Sequence, residues 1–144
     1  MNRQDMAAEC FNSGFNCAQA VFSVFCEKYG IEKETALKIS SGLGGGFRMG
    51  EVCGAASGAV LTAGLKHGHF ITGDIESKTN CYAKTEEIMG KFKELQGSFI
   101  CRDILGFDIS DVEGMRIAKE KNLFKTKCTE IVRDTVKFLE ELGY

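Results

Sequence analysis

No proline occurs anywhere in the 144 residues, so helices here must be started and stopped by capping residues and by the 17 glycines. Between those breaks, apolar residues recur at helical spacing more often than they alternate. Residues 3–13 read as a first helix, stopped by Gly14. Asn16 caps a second: its side chain can accept from a first-turn N–H, and Gln19 three residues on can return the bond. That helix is expected to run to about Tyr29 and stop at Gly30, and a shorter one covers 32–40.

The segment SGLGGGFRMG (41–50) reads as a flexible loop, followed by a fourth helix over about 52–66 that ends at Gly68. Asp74 caps a long fifth helix to about Leu95, with Ile75, Tyr82, Ile88, Phe92 and Leu95 as core candidates. Ser98 caps a short helix through Cys101 to Leu105, and Ser110 with Glu113 makes a capping box for a helix to about Lys121. Thr126 caps the last helix, where Cys128, Ile131, Val132, Thr135, Phe138 and Leu139 keep helical spacing. AVFSVF (20–25) is the best strand candidate, but its flanking cap and stop favour helix. The expectation is an all-α fold over 1–144. It is a single-domain bundle of about six to eight helices, with a glycine-rich loop before a small-residue helix.

That small-residue helix holds Gly54 and Gly58, with Ala55 and Ala59 repeating the spacing, a pattern that lets a neighbouring helix approach closely. The uncharged run 52–65 around it is 14 residues long, short of the ~20 that cross a bilayer, so no direct membrane insertion is expected. The formal charge of −2 and the lack of basic blocks with interleaved aromatics argue against nucleic acid. MNRQDMAAECFNSG has no basic flank before an apolar run and so does not read as a signal peptide, which makes the cytoplasm the expected compartment.

Seven cysteines are then informative: Cys10, Cys17, Cys26, Cys53, Cys81, Cys101 and Cys128. Reducing compartments use spare cysteines for metal binding, redox chemistry or packing, and an odd number cannot pair fully within one chain. No C-x-x-C occurs, so any joint chemistry must be assembled by the fold. Cys17, Cys53 and Cys128 fall at expected helix N-termini. There unpaired N–H groups and the helix dipole favour a thiolate. Arg48 and Arg102 add positive charge near Cys53 and Cys101. Cys10, Cys26 and Cys81 read as packing. His67 and His69 flank Gly68 and read as helix-end residues rather than metal ligands. GLGGG is no nucleotide fingerprint, because no strand precedes it and no lysine motif follows.

Four fragments occur in order: GFNCAQAVF (14–22), GGGF…VCGAASGA (44–59), SFICRDILGFDIS (98–110) and KCTEIV (127–132). Together they resemble the C_GCAxxG_C_C family, small proteins of about this length assigned to redox chemistry, some of them selenoproteins, and often encoded near transporters. The central motif here is Cys53-Gly54-Ala55-Ala56-Ser57-Gly58. The resemblance implies four characteristic cysteines: Cys17, Cys53, Cys101 and Cys128.

The leading expectation is a thiol-based redox protein of thiol–disulfide oxidoreductase type. Cys53 is the nucleophile and Cys17, Cys101 or Cys128 the resolving partner, with no cofactor and an unknown redox partner. One alternative is zinc or iron–sulfur binding by the same four cysteines, against which stands the lack of any two ligands on one short turn. The other is a non-catalytic accessory protein of a transporter, or a homo-oligomer joined through the small-residue helix.

Overall fold

Residues Met1 to Tyr144 are all described by the structure, a computed structural model. Eight helices follow in the order α1 (Arg3–Asn12), α2 (Cys17–Ser23), α3 (Lys33–Ser40), α4 (Gly54–His67), α5 (Ile75–Gln96), α6 (Cys101–Leu105), α7 (Val112–Glu120) and α8 (Thr129–Glu141). No strand forms, and AVFSVF is helical, so the all-α expectation holds. One isolated antiparallel bridge, Val52 to Ile100, ties the approach to α4 to the approach to α6. No helix is long and apolar enough to cross a membrane.

The core is built on α4. Ala55, Ala56, Ala59 and Ala63 are all 0% exposed, because their small side chains let α2, α5 and α8 close in around one helix. The GxxxG pair does what its spacing predicts. A Cβ at Gly58 would lie 2.8 Å from the Ala18 carbonyl oxygen, and one at Gly54 would lie 3.2 Å from Cys17 Cβ. Backbone contact with α2 therefore requires glycine at 58 and leaves little room for a side chain at 54. The opposite wall comes from α8, whose Val132, Val136 and Leu139 are fully buried beside Phe25, Ile88 and Phe92. α1 lies against α8 and is held in register by Arg133 to Asp5 (2.6 Å) and Arg3 to Glu140 (3.5 Å).

The start of α2 matches the sequence reading in detail. Asn16 Oδ1 accepts from the Gln19 amide and Gln19 Oε1 accepts from the Asn16 amide, both at 3.0 Å. The two side chains also reach outward, Asn16 Nδ2 to the Ser41 carbonyl and Gln19 Nε2 to the Leu37 carbonyl. The cap thereby clamps α2 to α3 and to the segment that follows it.

Elsewhere the structure departs from the sequence expectations. The second helix unwinds at Val24 and resumes as a 3-10 turn over Cys26–Tyr29, where the Cys26 thiol donates to the Ser23 carbonyl (3.1 Å). Gly30 still ends it, in the left-handed region at φ 83°. The segment 41–50 is a compact turn rather than an open loop. Gly45, Gly46, Phe47, Arg48 and Gly50 are all left-handed, with φ between 58° and 68°. Phe47 and Arg48 carry side chains there, at a conformational cost of roughly 1 kcal/mol each or more.

On α5 only Ile88 and Phe92 are buried; Ile75, Tyr82 and Leu95 are exposed, because the helix docks along one narrow edge. Asp111, not Ser110, caps α7, accepting from the Gly114 amide, while the Ser110 hydroxyl donates to Asp108. Thr126 caps nothing; its hydroxyl donates to the Asn122 carbonyl. The chain breaks earlier, at left-handed Asn122 (φ 57°), and runs helically from there through a wide turn at Phe124–Cys128 into α8.

Candidate functional site

Cys17, Cys53, Cys101 and Cys128 come from four separate parts of the chain and line one pocket of about 320 Å³. Two structural devices bring them together. The first is the α2–α4 contact: glycine at 54 lets Cys17 and the Ala18 amide approach the start of α4, which puts Cys17 beside Cys53. The second is the antiparallel bridge. Around the Val52–Ile100 pair, the Cys53 amide donates to the Phe99 carbonyl (2.8 Å) and the Cys101 amide to the Glu51 carbonyl (2.6 Å). In that register Cys53 and Cys101 are diagonal neighbours on one side of the bridge. Cys128 closes the set from the turn leading into α8.

The remaining cysteines lie elsewhere, as the packing expectation requires. Cys26 is fully buried on its own 3-10 turn, Cys10 faces the Ser23 hydroxyl at 3.8 Å, and Cys81 sits half-buried on α5. All seven cysteines are free thiols.

Proton affinities separate the four pocket cysteines. Cys53 occupies the N-cap of α4, not its first turn, and the Ala55 and Ala56 amides point at its sulfur. Those amides favour a thiolate, but burial wins and pushes the thiol up to about 11 from an ordinary 9.0. The lowering expected of Cys53 from a helix N-terminus is therefore outweighed. Cys101 begins α6 instead of lying late in it, and burial, then the nearby Cys53 and Cys128, push it up to about 12. Cys17 and Cys128 act on each other across the pocket: Cys128 and burial hold Cys17 well above its ordinary value, and the Cys17 thiol draws Cys128 below its own. Lys127 helps to lower Cys128. A helix end does not, because Cys128 lies inside a continuous helical run.

The two arginines singled out in the sequence differ in role. Arg102 is engaged by Glu51 (2.7 Å) and the Gly50 carbonyl (3.2 Å). Arg48 lines the pocket and lowers the Cys101 thiol slightly against the larger effect of burial. Lys125 also lines the pocket, as do Phe11, Phe15 and Phe124. Sequence reasoning missed these four: Phe15 stands inside the GFNCAQAVF fragment but has no expected role there, and Phe11, Phe124 and Lys125 fall in no motif and reach the site only through packing. No three His, Cys, Asp or Glu side chains are grouped closely enough to hold a metal ion.

A family model described as "Putative redox-active protein (C_GCAxxG_C_C)" matches residues 15–142. The chain belongs to this family. A family defined by four cysteines suits a fold that gathers four of its seven around one cavity. The chain is also similar to an uncharacterized protein of Archaeoglobus fulgidus, 32% identical over 138 residues that span 89% of this chain and 84% of the relative. No solved structure matches it. Redox activity is the description that the C_GCAxxG_C_C family carries, and four free thiols of this member line one pocket.

Proposed function

We propose that this pocket carries out thiol–disulfide exchange, with Cys128 as attacking thiolate and Cys17 as resolving thiol. One observation carries the reading: thiols from four separate segments line one cavity, and within it Cys17 and Cys128 pull each other's proton affinities in opposite directions. The attacking sulfur has to be a thiolate, and Cys128 is the one pocket thiol held below its ordinary value. Cys128 attacks one sulfur of a substrate disulfide, forming a mixed disulfide and releasing the other half as a thiol. The Cys17 sulfur, losing its proton, then attacks Cys128 Sγ, releases the second half as a thiol and leaves a Cys17–Cys128 disulfide. The substrate gains two electrons and two protons, and the protein dithiol loses them.

Cys53 and Cys101, both held neutral, form a second dithiol within the same cavity. On this reading the protein works in the cytoplasm, where a reducing thiol pool returns the Cys17–Cys128 disulfide to the dithiol. Zinc or iron–sulfur binding by the same four cysteines is less well supported, since the side chains are not gathered as ligands. A non-catalytic transporter accessory would leave the opposed acidities of Cys17 and Cys128 without a use.

The test is alkylation and peptide mapping after treatment with the neutral disulfide dithiodipyridine. The expected result is loss of two thiols as a Cys17–Cys128 cross-link, restored by dithiothreitol and absent in Cys128→Ser. A cross-link that forms at the wild-type rate without Cys128, or seven thiols that stay free, overturns the assignment. Stoichiometric metal released by acid from protein purified without chelator favours the metal reading instead.

A further inference from the structure

The walls of the four-cysteine pocket have an unbalanced charge. None of the residues lining it is an Asp or Glu, and its two ionised groups are Arg48 and Lys125. Neither cation is paired: the six ion pairs of the molecule involve Arg3, Lys38, Arg102, Arg116 and Arg133. This contrasts with Arg102, two residues from the bridge, whose charge is taken up by Glu51.

Arg48 is also placed at a cost. It stands in the left-handed region at φ 61°, directly after Phe47 at φ 58°, within a turn that three glycines make feasible. Backbone strain persists at sites where the surroundings over-determine it, and here it sets an unpaired guanidinium at a cavity lined by thiols. Apart from Asn12 and Asn16, the other large side chains of the lining are apolar, among them Phe11, Phe15, Ile104, Ile109, Phe124 and Ile131.

Resting on the thiol-exchange reading, we infer that the substrate is a low-molecular-weight disulfide bearing an anionic group such as a carboxylate. Arg48 and Lys125 pair with the anion and the apolar wall takes the body of the molecule, which sets its S–S bond against the thiols. A volume of about 320 Å³ lies at the small end of ligand pockets and matches a small molecule. Excess positive charge with no acidic wall residue disfavours cationic disulfides by the same geometry.

The test compares modification rates with anionic dithiobis(nitrobenzoate), neutral dithiodipyridine and cationic cystamine. Each rate is divided by that of the same reagent with a free small thiol, which removes intrinsic reactivity. The wild-type protein should prefer the anionic over the cationic reagent by about tenfold or more, from two solvent-facing charge contacts worth several-fold each. Arg48→Asn with Lys125→Gln should cut that preference about tenfold; Asn is chosen because it tolerates a left-handed backbone. Arg48→Glu with Lys125→Gln, which leaves one negative charge on the wall, should turn the preference toward cystamine.

A wild-type preference near one, or a preference the double variant retains, overturns the inference while the Cys17–Cys128 cross-link formed with dithiodipyridine keeps the redox reading. If no reagent produces that cross-link in wild-type protein, both fall. Far-UV circular dichroism on each variant shows whether the fold survives, and a folded double variant that keeps the wild-type preference counts against the inference.

Discussion

Cys53 with Cys101 and Cys17 with Cys128 share one cavity, and Cys53, Cys101 and Cys128 are equally inaccessible at 6–7% exposure. Their chemistry nevertheless diverges. Cys53 has two helix amides aimed at its sulfur and still rises to about 11; Cys128 lies mid-helix and falls below its ordinary value. Burial outweighs the helix amides at Cys53, whereas the neighbouring Cys17 thiol outweighs burial at Cys128. For Cys53, two pKa units above 9.0 cost about 100-fold in thiolate and regain about tenfold in intrinsic nucleophilicity, leaving it about tenfold slower than an ordinary thiol. One pair is built to stay protonated, the other to divide a proton unequally.

The largest effect that separates the pairs is alkaline stability. Cys53 and Cys101 have folded values near 11 and 12 against 9.0 when free, so the folded state holds their protons more tightly. The stability they contribute is fully present below pH 9 and is lost as pH rises toward those folded values. The slope is about 1.4 kcal/mol per pH unit for each group. Chemical denaturation at pH 8 and pH 10.5 should therefore show a loss of which Cys53→Ser/Cys101→Ser removes on the order of a few kcal/mol, the other raised thiols, Cys17 foremost, keeping the remainder. If the double variant loses as much stability on the alkaline side as wild-type, these two thiols are not held neutral by burial.

The helical content, the α2 capping box, the GxxxG contact and the role of Gly30 are legible in the sequence because each rests on interactions within a turn or two. The proton affinities are not. Cys53 looked acidic from its position before a small-residue helix, yet its acidity depends on how deeply α2, α6 and α8 bury it, a sum over distant segments. Cys128 reached the right group of residues for the wrong reason: Thr126 resembles a cap, but left-handed Asn122 starts the helix earlier. The bridge that makes Cys53 and Cys101 neighbours spans a single residue pair and leaves no periodic trace in the sequence. The pocket's cations share that invisibility, since Lys125 becomes a wall residue only when α8 packs on α1.

Gly58 and Gly64 sharpen the comparison through packing, with an effect of intermediate size. Both lie in α4, but a Cβ at Gly58 meets the Ala18 carbonyl at 2.8 Å and Val21 Cβ at 3.1 Å, whereas one at Gly64 meets nothing within 4 Å. Gly58→Ala should cost about 1–2 kcal/mol, since overpacking of about 1–3 kcal/mol exceeds the helix-propensity gain of about 1 kcal/mol. Gly64→Ala should stabilise by about 0.5–1 kcal/mol. Because the clash pushes on α2, which carries Cys17, Gly58→Ala should raise the pH at which Cys128 alkylates and leave the Cys53–Cys101 pair nearly unmoved. Equal shifts in both pairs would mean that α2 does not set the difference between them.

The smallest effect ranks the two influences that lower Cys128. Its interaction with Cys17 is the larger, and the Lys127 charge is the lesser because it acts from an exposed side chain that also donates to the Ile104 carbonyl. Cys17→Ala removes the thiol donor and should raise the pH of half-maximal Cys128 alkylation, measured by peptide mapping across pH 6 to 10, by more than Lys127→Gln does. Both shifts run upward, since each change removes something that stabilises the thiolate, and only the Lys127 contribution should shrink with added salt. A Lys127→Gln shift that equals or exceeds that of Cys17→Ala would assign the acidity of Cys128 to surface charge. The attacking thiol would then owe nothing to its partner, and the case for Cys17 as the resolving sulfur would rest on proximity alone.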